Sequence, residues 1–82
     1  MLDILYSNQA ARFLKNIEDE PISRIIAKIE LLKENPIPHD SKRVQNTNLF
    51  RIRIGKYRVL YEVDYKKGMI GIVRIDKRSR VY

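Results

Sequence analysis

An 82-residue chain with no cysteine excludes disulfides, zinc–thiolate sites and thiol nucleophiles, and leaves room for one hydrophobic core and one site. Its net charge is +7, and all of the excess lies late: residues 1–50 carry seven Lys/Arg against seven Asp/Glu, whereas residues 51–82 carry ten against three. The start, MLDILYSNQAARF, has no basic region leading into an apolar run, and no apolar stretch approaches membrane-spanning length, so one cytoplasmic domain over residues 1–82 with no membrane partner is expected.

In chain order, Leu2, Ile4 and Tyr6 alternate with Asp3 and Leu5, which predicts a short first strand ending at Ser7-Asn8. Ser7 suits a helix N-cap. Ala10, Phe13, Leu14 and Ile17 follow at helical spacing, and Glu18-Asp19-Glu20-Pro21 interrupts them and opens a second helix. That helix carries a stripe of Ile22, Ile25, Ile26, Ile29 and Leu32 and stops before Pro36. Residues 36–48, PIPHDSKRVQNTN, have turn composition and no period, and so read as a loop. Three strands are predicted near 49–54, 57–65 and 69–76. A two-residue turn at Gly55-Lys56 joins the first pair, and a turn around Lys66-Lys67-Gly68 joins the second. The last strand, MIGIVRID, is apolar on both faces, which predicts a central position and leaves its register open. Its direction returns Lys77-Arg78 towards the hairpin. The expected fold is α+β, in the order β-α-α-β-β-β, with an antiparallel sheet and two helices packed on one face.

The hairpin 49–62, LFRIRIGKYRVLYE, carries the functional signal. With Gly55-Lys56 as the turn, Ile54 pairs with Tyr57, Arg53 with Arg58, Ile52 with Val59 and Arg51 with Leu60. Ile52, Ile54, Tyr57 and Val59 then share one face, and Arg51, Arg53 and Arg58 crowd the other. Like charges opposite each other destabilise a sheet, so such a cluster points to an anionic ligand, and repeated guanidinium forks favour phosphate.

These residues carry a resemblance. The strand–helix–helix–three-strand order, LFRIRIGKYRVLYE in the hairpin and IDKRSRVY at the end resemble the RelE/ParE superfamily of type II toxin–antitoxin toxins, and within it the RelE-like mRNA interferases, over essentially the whole chain. The resemblance implies a microbial-ribonuclease-like fold and a metal-independent, cofactor-free endoribonuclease. Such an enzyme cleaves mRNA in the ribosomal A site by 2′-hydroxyl attack and is neutralised by a RelB-like antitoxin. Matched residue by residue, it places cleavage-site roles on Arg51, Arg53, Arg58, Arg78 and Tyr82. Lys42, Arg43, Lys56, Lys77 and Arg80 are the further cations expected to contact RNA. The chain departs from the family pattern by having Arg51 and Arg53 where lysines are common, and guanidinium groups with pKa above ~12 are poor general bases. Lys77, crowded by Arg58 and Arg78, is the alternative proton carrier.

Plainer readings stand beside these. Arg51 can pair diagonally with Glu62, and His39 suits a surface loop. Tyr57, Tyr61 and Tyr65 share the packing phase of Val59 and Val63, and Tyr82 can be a loose last residue. Glu62 and Asp64 have no His or Cys near them in sequence, so no metal site is expected. Two other functional classes stay open: a ParE-like toxin that binds DNA gyrase, and a non-catalytic basic nucleic-acid-binding module.

Overall fold

The computed structural model describes residues 1–17 and 19–77, the side chain of Asp19 excepted. Strand β1 (Asp3–Tyr6) leads into helix α1 (Asn8–Lys15) and helix α2 (Asp19–Leu31). Strands β2 (Lys42–Arg43), β3 (Phe50–Ile54), β4 (Tyr57–Asp64) and β5 (Met69–Lys77) complete the chain. The sheet order is β1-β5-β4-β3-β2, and both helices pack on one face, α1 against β5 and α2 against β3. The sheet is mixed: β3, β4 and β5 pair antiparallel as expected, β2 adds to β3 antiparallel, and β1 joins β5 in parallel. Both helices and three strands separate β1 from β5 in the chain, so no tight turn dictates their relative direction, and alternation alone does not reveal it.

Each element follows from its residues. Ser7 caps α1, its Oγ accepting from the Ala10 amide at 3.1 Å. Gly55 takes φ +58 at the first position of the hairpin turn, a backbone setting that favours glycine and matches the strand twist. The hairpin register is the predicted one, Ile54 with Tyr57 through Arg51 with Leu60. The core gathers Ala10, Ile25, Ile29 and Leu32 from the helical layer and Ile52, Val59, Tyr61, Ile70, Ile72 and Ile75 from the sheet. Phe13 meets Tyr57 edge to face at 5.9 Å, and Phe50 stacks on Tyr61 at 5.7 Å. The Tyr61 hydroxyl donates to the Pro36 carbonyl at 2.7 Å, so the ring packs while its polar end is satisfied; burial raises the phenol's pKa.

Three local expectations differ. Ile26 and Tyr65 are exposed rather than packed, because Ile26 turns away from the Ile25–Ile29–Leu32 stripe and Tyr65 lies just past the end of β4. The segment read as a loop contains the two-residue strand β2, in which Lys42 opposes Arg51 and Arg43 opposes Phe50. Within β5 a bulge leaves Val73 unpaired, since Leu60 opposes Arg74 but Tyr61 opposes Ile72. No helix among the described residues is long and apolar enough to cross a membrane.

The bulge decides the faces of the end of β5. Straight alternation from Ile70 and Ile72 would turn Asp76 towards the core and Lys77 outwards. One extra residue reverses the parity, so Ile75 is buried, Asp76 opposes Arg58 and Lys77 opposes Tyr57. Side chains of the first helix hold this segment where β1 has ended. Ser7 Oγ donates to the Val73 carbonyl at 2.7 Å. Gln9 accepts from the Ile75 amide at 3.0 Å and donates to the Ile75 carbonyl at 2.9 Å, standing in for a missing neighbour strand.

Candidate nucleic-acid interface

The sheet face away from the helices presents two rows of side chains. Arg53, Arg58 and Asp76 form one across β3, β4 and β5, and Lys42, Arg51, Leu60 and Arg74 form the other across β2 to β5. Residues directly opposite on neighbouring strands have Cβ atoms about 4.5–5.5 Å apart, so adjacent cations in a row can share a phosphate, while the longer row runs about 14 Å across four strands. Arg51 and Arg53 also line a shallow cleft with Lys42 and Asp40. The Lys28 ammonium reaches over from α2 to hydrogen-bond Asp40 at 2.6 Å and holds its carboxyl below the usual range.

Arg58 is the best anchored of these groups. Its side chain is only 14% exposed, and its Nη2 donates to Asp76 Oδ2 at 3.3 Å. Arg74 Nε donates to the same oxygen at 3.1 Å. The crowding of like charges expected at Arg51, Arg53 and Arg58 is therefore offset at Arg58 by a carboxylate on β5. Neither Asp76 nor Arg74 was singled out from sequence, because both follow the bulge and straight alternation assigns Asp76 to the other face. The signal that could have exposed them is the charge pattern Arg-x-Asp at the end of an otherwise apolar strand, opposite an arginine.

The remaining expected site residues distribute differently. Lys42, Arg51, Arg53 and Arg58 come together on the outer face. Lys77 does not share the face of Arg58; with Lys56 it lines a cleft formed by Asn16, Ile17, Pro21 and Tyr57 on the helical side. Arg43 points away from Lys42, and its Nε donates to the Thr47 carbonyl at 3.1 Å. Among the described residues Arg51 makes no ion pair with Glu62, which lies over Gly71 instead. His39 is exposed. Arg78, Arg80 and Tyr82 lie outside the described residues. Among the described residues no group of three or more His, Asp and Glu is placed to hold a metal ion.

Residues 4–82 match the sequence model of the ParE toxin of type II toxin–antitoxin systems, parDE. The chain belongs to the RelE/ParE superfamily of toxins. A Methanocaldococcus jannaschii protein that bears the name "Putative toxin RelE1" is 38% identical to it over 78 residues, covering 87% of each chain. In the archaeal RelE–RelB complex from Pyrococcus horikoshii OT3, the matching chain superposes with a TM-score of 0.85 at 26% identity and 98% coverage of both. The isolated E. coli RelE toxin superposes with a TM-score of 0.86, over 98% of this chain and 87% of that one; at 16% identity this likeness speaks for the fold. The toxin superfamily and the α+β architecture expected from the hairpin are thereby established.

Proposed function

We propose that this toxin is a RelE-like endoribonuclease that cleaves mRNA on the ribosome, acts in the cytoplasm and is held inactive by a RelB-like antitoxin. The observation that carries the reading is the outer-face cluster of Lys42, Arg51, Arg53 and Arg58, with Arg58 braced by Asp76. The likeness to a RelE chain crystallised with RelB supports the antitoxin partner.

In the proposed reaction the ribose 2′-oxygen forms a bond to the adjacent phosphorus as the bond from phosphorus to the 5′-oxygen breaks. The products are a cyclic phosphate and a free 5′-hydroxyl; the 2′-proton leaves to a base and the 5′-oxygen gains one. Arg51 and Arg53 hold the phosphate and favour an ionised 2′-oxygen electrostatically, a task that permanent cations perform without acting as bases. Arg58 meets the charge that grows on the phosphoryl oxygens. Arg78 beside the leaving oxygen and Tyr82 against the mRNA base complete the proposed site. Lys42 and Arg74 extend it along the strand of RNA, with Leu60 between them as an apolar floor. Arg43, Lys56, Lys77 and Arg80 remain proposed as outlying contacts to ribosome or RNA phosphates.

The test is incubation of purified protein with programmed ribosomes and with naked mRNA, reading 5′ ends by primer extension. Cleavage of ribosome-bound message is expected, and intact message in both would sink the proposal. A ParE-like action on DNA gyrase is the second reading, favoured by the family model that matches. It predicts intact mRNA and inhibited supercoiling in the same preparation.

A further inference from the structure

Arg58 occupies a position that an arginine would not hold unaided. Its direct neighbour on β3 is Arg53, and Arg74 stands on β5 one pair further along, opposite Leu60. Like charges so close drive long side chains apart and out into water. Yet the Arg58 side chain is 14% exposed, against 54% for Arg74. Asp76, directly opposite on β5, supplies the opposing pull: its Oδ2 accepts from both Arg58 and Arg74. Its Oδ1 is buried and, among the described residues, has no hydrogen-bond partner. Burying a carboxylate oxygen without a donor carries a free-energy cost. A counter-ion needed only for charge balance would avoid that cost by standing in water.

We propose that Asp76 is a positioning residue, whose carboxylate fixes the Arg58 guanidinium at the sheet surface, against repulsion from Arg53 and Arg74, before any phosphate arrives. This deepens the RNA-cleavage reading and rests on it. The gain is preorganisation. An untethered arginine must give up rotamer freedom as charge develops on the phosphoryl oxygens, whereas a tethered one has already done so. The bulge at Val73 is what makes the arrangement possible, since it turns Asp76 to the face of Arg58.

The experiment compares Asp76→Asn and Asp76→Glu with wild type in ribosome-dependent cleavage, with melting curves to confirm folding. Loss of positioning in Asp76→Asn should lower kcat by roughly tenfold or more and leave KM within about twofold. Asp76→Glu keeps the charge but moves the carboxylate by one methylene, and kcat should fall there too with melting close to wild type. Asp76→Asn combined with Arg58→Gln should cost no more than Arg58→Gln alone, because the carboxylate acts through that arginine. Wild-type kcat in Asp76→Glu overturns the proposal, as does a kcat that rises in Asp76→Asn. Should wild type cleave no RNA, the cleavage reading fails and NMR still decides this one. The Arg58 Nε–Hε resonance, assigned by its loss in Arg58→Gln, should move to the position of solvent-exposed arginines in Asp76→Asn, and a resonance that stays in place overturns the proposal.

Discussion

Replacing Arg58 by alanine removes a cation from the proposed phosphate site and also leaves Asp76, whose side chain is only 20% exposed, with Arg74 as its one remaining ion-pair partner among the described residues. The two effects are separable. Loss of one preorganised charge at a developing oxyanion lowers rates by about 10²–10³-fold, so Arg58→Ala should abolish growth inhibition on induction. Losing one of the two donors on a partly buried carboxylate, with Arg74 still in place, costs about 1 kcal/mol, and in a domain this small the melting temperature should drop by roughly 4–8 °C. Toxicity scored beside thermal melting checks both, and full toxicity would remove Arg58 from the site. The arginine cluster itself was legible in the sequence, because a two-residue glycine turn fixes which side chains oppose. The brace behind it was not. Asp76 and Arg74 reach the outer face only through an irregularity in β5 that period-2 reasoning has no means of placing.

That irregularity belongs to an element, and the element is held from outside. MIGIVRID reads as a central strand because both faces are apolar, and the same property hides its parity: with Ile70, Ile72, Val73 and Ile75 all able to pack, hydrophobicity does not say where the extra residue falls. Ser7 and Gln9 do. They bond the backbone of Val73 and Ile75 beyond the end of β1, and thereby hold Ile75 inwards and Asp76 outwards. Nothing local in the sequence marks Gln9 for this task, since its partner lies 66 positions away. Gln9→Ala leaves the Ile75 amide and carbonyl without their partners and should destabilise the fold by about 2 kcal/mol. Gln9→Glu keeps the acceptor and loses the donor, so its loss should be smaller. Urea unfolding monitored by circular dichroism measures both. Equal stability of Gln9→Ala and wild type would mean that packing alone sets the bulge. The parallel direction of β1 and the short strand β2 were hidden for a related reason. Strand direction and two-residue pairings are settled by partners distant in sequence, whereas capping at Ser7 and the turn at Gly55 are local chemistry.

At the scale of the molecule, charge and fold divide the surface. The helical layer covers one side of the sheet, and the other carries Lys42, Arg51, Arg53, Arg58 and Arg74 against Asp76, Glu62 and the neighbouring Asp40. The chain as a whole carries +7, with ten of its 17 Lys/Arg in residues 51–82. On the proposed reading, a translation-blocking nuclease must be captured quickly by its antitoxin. A field of one sign accelerates encounter with an acidic partner segment far more than it strengthens the final complex. The Debye length shrinks from about 30 Å at 0.01 M salt to about 10 Å at 0.1 M and 3 Å at 1 M, so steering should fade across that range while apolar contacts persist. Mixing the purified toxin with the antitoxin encoded beside it should therefore give an on-rate that falls at least tenfold from low to high salt, with a far smaller change in off-rate, and a dissociation constant of about nanomolar or tighter at low salt. Replacing Arg51 and Arg53 together by glutamine should flatten the salt dependence, since both lie on the face that faces the approaching chain in this reading. An on-rate indifferent to salt, with a neighbour that leaves cleavage untouched, would mean that the toxin is restrained by something other than charge complementarity.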